Sequence, residues 1–163
     1  REGVARTEVY TRDGNWLHHS LDNHDEPVDY TFSPAYPAYA FALAPGKSWS
    51  LRVNASRPGG TQRSVRVDAS IAGAMRIRVP AGEFDTIKIR RTTYAGDADY
   101  RTETRITEFE WYAPALGRAV RLERQSEWRE SGGRCQFMFC NPGTQGEWHI
   151  YELASYPGSP GGR

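Results

Sequence analysis

The densest run of side chains able to do chemistry is His18-His19-Ser20-Leu21-Asp22-Asn23-His24-Asp25-Glu26. Imidazole nitrogens and carboxylate oxygens at such spacing suit a transition metal. Residues 22–27 are polar and end on Pro27, which reads as a loop, and no second cluster supplies the remaining ligands. The run is therefore taken as solvated, with no metal and no cofactor. His149 falls out of phase with Trp148 and reads as a strand-surface residue. Glu108 and Glu110 share one strand face and could in principle flank a glycosidic bond. Strand-face glutamates are ordinarily just solvated. Gly46-Lys47-Ser48 has the ending of a phosphate-binding loop, but Phe41 stands where its first glycine belongs and a strand follows. There is neither a G-x-S-x-G turn nor a Cys/His nucleophile signature. No catalytic residue is assigned, and the chain is not expected to be an enzyme.

Cys135 and Cys140 lie in C-Q-F-M-F-C, with too few ligand-type neighbours for a zinc site. A disulfide across a strand end or hairpin turn is the preferred reading, and it points to the periplasm or the cell exterior. Two buried thiols acting as small hydrophobes are the alternative. Tyr36, Tyr39, Phe41, Trp49, Phe84, Trp111, Trp128 and Trp148 are more aromatics than a small core needs. They either fill the core or line a concave cavity for an apolar or sugar ligand.

The elements that must position these residues are strands. The 163 residues suffice for one domain, and 21 basic against 20 acidic side chains leave no basic excess for a nucleic-acid partner. Aromatic and β-branched residues are plentiful, and no long helical periodicity is present. Met75, Ile77 and Val79 alternate with Arg76 and Arg78, giving a strand with one wet face. Pro80-Ala81-Gly82 turns this strand into Phe84–Ile89, and Ala95-Gly96-Asp97 turns that into a third, ending at Trp111. Residues 30–46 are rich in Tyr, Ala and Pro and read as an extended connection, because proline blocks helix and central strand. Gly73 either separates two strands or marks a bulge joining them. The count is about eight to ten strands at sandwich or barrel spacing, as one all-β domain over residues 1–156. The 157–163 tail, P-G-S-P-G-G-R, is expected to be disordered. No apolar stretch is long enough for a transmembrane segment, and the start at Arg1 reads as a trimmed, mature form.

Four pieces fall in a familiar order: F-x-L-x-P-G-K-S-W from Phe41, V-P-A-G-x-F-D-T-x-K-I from Val79, W-Y-A-P-x-L-G-R-x-V-R from Trp111, and Y-E-L-x-S-Y from Tyr151. Together they resemble TapB-like bacterial envelope proteins of unknown function, secreted or lipid-anchored, over about residues 41–156. That resemblance implies a half-barrel, an open and curved antiparallel sheet like that of LolA- and LppX-type lipoprotein carriers. It implies a periplasmic or envelope location and, by analogy of shape, a ligand-carrying role. It supplies no catalytic residues. The expected function is non-catalytic binding of a lipid or other amphipathic ligand, or of an envelope protein partner, on an aromatic concave face. Carbohydrate recognition and structural pairing through a sheet edge are the alternatives.

Overall fold

A computed structural model describes residues 8–21, 29–60, 62–96, 104–129 and 144–157. Cys135, Cys140 and the 158–163 tail lie outside the described residues. Nine strands run in order: β1 (Val9–Tyr10), β2 (Trp16–Ser20), β3 (Asp29–Tyr36), β4 (Ser48–Ser56), β5 (Gln62–Val79), β6 (Gly82–Gly96), β7 (Thr104–Ala113), β8 (Arg118–Arg129) and β9 (Thr144–Glu152). Each pairs antiparallel with the next, so the sheet order is the sequence order. The sheet is curled into a half-barrel. β3 and β6 are separated by two strands, yet Tyr36 and Thr93 hydrogen-bond through their hydroxyls at 2.6 Å. Arg124 of β8 likewise donates to the Leu21 carbonyl at the end of β2.

The 30–36 segment is an inner strand, not the extended connection expected from its prolines. β3 pairs with β4 only at Thr31, Phe32 and Ser33, and with β2 only at Asp29, Tyr30, Thr31 and Tyr36. Pro34 falls in the gap on both sides, where its missing N–H interrupts no ladder bond. The connection proper is therefore residues 37–47.

A bulge in β5 explains why apolar residues keep one parity for the whole strand while burying on two different faces. Ile71 pairs with Ile89, but Gly73 pairs with Lys88, so one extra residue is inserted at Ala72. Val65, Val67, Ala69 and Ile71 lie on the concave face, and beyond the bulge the odd positions Ile77 and Val79 lie on the convex face. Two separate cores result. The concave one holds Leu21, Tyr30, Phe32, Tyr36, Val53, Val65, Val67 and Ile106. The convex one holds Val79, Phe84, Trp111, Ala113 and Val120, with Phe109, Leu153 and Tyr156 packed against it. Residues 153–156 leave the sheet and cross this convex patch instead of extending the last strand. The Leu153 N–H donates to Val120 O at 2.9 Å, and the Ala81 N–H to Leu153 O at 3.0 Å. The Tyr156 ring meets Phe84 edge-on at 5.7 Å.

Arg76 and Arg78 are exposed, as their alternation predicts, and pair across the hairpin with Asp85 and Glu83. Gly82 closes the Pro80-Ala81 turn at φ 137°, a region L-residues seldom occupy. The space beside it is open enough, since a Cβ would come no nearer than 3.8 Å to Phe84. Gly82→Val is therefore expected to destabilise through backbone strain alone, by about 1–3 kcal/mol in urea unfolding. An unchanged midpoint would show the turn to be differently built.

Candidate binding hollow at the mouth of the half-barrel

The concave interior is filled by the protein's own side chains. At its centre Arg91, Glu108, Glu110 and Arg124 are only 1%, 2%, 4% and 6% exposed. Cross-strand pairing brings them together, with Arg91 opposite Glu108 and Glu108 opposite Arg124. The Arg91 guanidinium donates to Glu108 Oε2 at 3.2 Å, to Glu110 Oε2, and to the Ala38 carbonyl at 3.1 Å. Arg124 lies 3.9 Å from Glu108 Oε1. Burial pushes the Glu108 carboxyl up, but Arg91 and Arg124 outweigh it and hold the group below its ordinary range. Glu108 and Glu110 do share a face, as read from the sequence, yet they are buried and ion-paired, not solvated. Above them His19, Trp16 and Tyr36 stack, with centroids 4.1 Å and 4.2 Å apart.

The 37–47 connection is strapped across the mouth of this interior. The Trp49 indole N–H donates to Pro37 O at 2.9 Å, and Lys47 Nζ to Ala42 O at 3.0 Å. The Tyr39 N–H donates to Asn15 Oδ1 at 2.8 Å, joining the strap to the β1–β2 turn. That turn is closed by Thr11 N–H to Asn15 O at 2.7 Å and Gly14 N–H to Thr11 O at 2.9 Å. Gly14 has φ 75°, and a Cβ there would sit 3.2 Å from the Tyr39 ring, so both backbone and space favour glycine.

Between strap, turn and the β7–β8 corner lies an open hollow of about 400 Å³, lined by Thr11, Arg12, Asp13, Gly14, Tyr39, Phe41, Tyr112 and Gly117. Three rings form one wall. Tyr39 lies 5.7 Å from Phe41 and 5.2 Å from Tyr112, and Phe41 lies 5.9 Å from Tyr112. The Tyr39 hydroxyl donates to Glu110 Oε1 at 2.5 Å, which ties the wall to the buried ion cluster. Burial, then the Glu110 charge, pushes the Tyr39 hydroxyl far above its ordinary range, so it stays a neutral donor. Arg12 and Asp13 stand exposed at the rim. Phe41 is 49% exposed, so this ring of the wall is open to a ligand.

Of the aromatics singled out in the sequence, Tyr39 and Phe41 meet at this hollow. Tyr36 is buried in the concave core, and Trp49 is half-buried as the anchor of the strap. Phe84 and Trp111 sit in the convex core, on the other face of the sheet. Trp148 stands 69% exposed on the last strand. The Trp128 side chain lies outside the described set. Tyr112 escapes the sequence reading because the third strand of the meander is expected to end at Trp111, whereas β7 runs on to Ala113. Its signal was parity, since Tyr112 is in phase with Glu108 and Glu110.

His18 and His19 sit in β2, where His18 Nδ1 is 3.2 Å from Thr31 Oγ1 and His19 stacks on Trp16. Among the described residues no group of three His, Cys, Asp or Glu could hold a metal ion. A second, polar hollow of about 260 Å³ lies on the convex face beside Asp68, Ser70, Arg90 and Tyr94, without an aromatic wall of that kind. No helix among the described residues is long and apolar enough to cross a membrane. No protein-family model, curated protein or solved structure matches this chain.

Proposed function

We propose that this chain is a non-catalytic binding protein of the bacterial cell envelope that takes a small amphipathic ligand in the hollow of Tyr39, Phe41 and Tyr112. The observation that carries the proposal is the three-ring wall, open to solvent at Phe41, beside the exposed charged side chains of Arg12 and Asp13. Ligand sites run to roughly 300–1,000 Å³ and combine an apolar wall with a few polar groups. The hollow's size is at the small end of that range. The interior behind it is taken up by the ion cluster and the stacked rings, so the ligand is one that rests at the mouth with a short apolar part on the rings. Its polar part faces Arg12 and Asp13. The non-catalytic reading is supported by Glu108 and Glu110, whose oxygens are engaged by Arg91 and Tyr39 instead of facing the hollow. The envelope location, and membership of a TapB-like group with its half-barrel carriers, rest on the four sequence pieces given above and belong to the same proposal.

Octyl glucoside is a suitable probe, because it joins a short chain to a polar ring. Phe41→Ala removes an exposed ring and should leave the fold intact, while weakening probe binding by about tenfold or more in calorimetry. Equal affinity in the variant would refute the site. Methyl glucoside binding as tightly as octyl glucoside would move the reading to sugar recognition at the same rings.

A further inference from the structure

β9 is the long open edge of this sheet. It pairs with β8 without a register break from Thr144 to Glu152, and with no other strand among the described residues. The opposite edge, β1, is two residues long and meets β2 across a register shift, devices that stop an edge from recruiting another chain. β9 has neither device. It is nine residues long with no proline, lysine or bulge, and it exposes Trp148 at 69% and Ile150 at 46%. The Leu153 N–H to Val120 O bond fixes which amides are spent on β8. Ladder bonds recur at every second residue, so the N–H and C=O groups of Gly146, Trp148 and Ile150 face the open edge.

We propose that β9 pairs antiparallel with β9 of a second copy of this chain, about a two-fold axis at Trp148, to make one sheet continuous across a dimer. This register sets Trp148 against Trp148 of the second copy on the convex face. On the other face it sets each Glu147 against the second copy's His149. These two side chains already share that face, 3.3 Å apart along the strand. The strand thus sets a carboxylate against an imidazole of its own reverse at both positions, the self-complementarity that an isologous interface requires. A shift of the axis to His149 would set His149 against itself and Glu147 against Tyr151, losing both Glu–His pairs. A hetero-partner would need no such self-complementarity.

Sedimentation equilibrium of the full chain with reductant present is expected to give twice the monomer mass. Trp148→Lys changes an exposed residue and should weaken association at least about tenfold. His149→Glu sets carboxylates against each other and should weaken it as well. Adding Glu147→His to that variant exchanges carboxylate and imidazole and is expected to restore the dimer, which a merely structural role for either residue would not do. A monomer at every concentration, a dimer indifferent to Trp148→Lys, or no recovery in the exchanged double variant would overturn the proposal.

Discussion

Replacing Arg91 with methionine is expected to destabilise the domain by about 3–5 kcal/mol, although methionine fills much of the same space. The guanidinium is 1% exposed and is shared by two carboxylates and the Ala38 carbonyl. Without it, Glu108 and Glu110 remain buried and charged, and a strap carbonyl loses its donor. The penalty should depend on pH in a definite direction. The Glu108 carboxyl lies below its ordinary value of 4.5 in the folded protein, held there by Arg91 and Arg124 against the effect of burial. Its ion-pair contribution is therefore present above that value and lost as pH falls through the depressed folded one. In the variant the Glu108 carboxyl, left buried without Arg91, can protonate on acidification, which relieves the buried charge. Urea unfolding should thus show the gap between wild type and variant narrowing from neutral pH towards pH 4.5 and below. A gap under about 1 kcal/mol at neutral pH would mean the cluster is solvated after all.

Trp111→Ala is the second large effect, at about 3–5 kcal/mol. Trp111 is 6% exposed in the convex core, with its indole N–H 3.2 Å from Met75 Sδ and Lys88 Nζ 4.5 Å above the ring. Truncation would leave a cavity beneath Lys88 and remove the partner that keeps this core beside Val120 and Leu153. Because that core is on the opposite face from the hollow, the variant should still bind octyl glucoside wherever it remains folded. A small stability loss would argue that the convex patch is a surface feature and not a second core.

The strands were legible because period-2 alternation survives in the residues themselves, and the one-domain meander follows from turns such as Pro80-Ala81-Gly82. Alternation does not say which face a residue takes, and here that mattered. One inserted residue at Ala72 sends Ile77 and Val79 to the convex side, away from Val65 and Val67, with no break in the pattern. The sequence therefore offers one aromatic face where the protein has two cores. The ion cluster hid for a related reason. Arg91 and Glu108 look like solvent-face charges until they are seen in phase with Ile89 and Ile106, which are buried. A charge in phase with apolar neighbours on two adjacent strands was the available signal. The hollow could not be read at all, because it joins residues 11–14, 39, 41, 112 and 117 from three connections and the end of β7. Distance along the chain carries no trace of that meeting.

A ligand resting at the mouth and a ligand entering the half-barrel would be felt at different residues, and backbone amide shifts separate them. Titration of isotope-labelled protein with octyl glucoside should move the amides of Thr11 to Gly14, Tyr39, Phe41, Tyr112 and Gly117, and leave Val53, Val65, Val67 and Ile106 in place. Shifts centred on those four buried residues would mean that ligand enters the half-barrel itself, and would contradict both the filled interior and the site at its mouth.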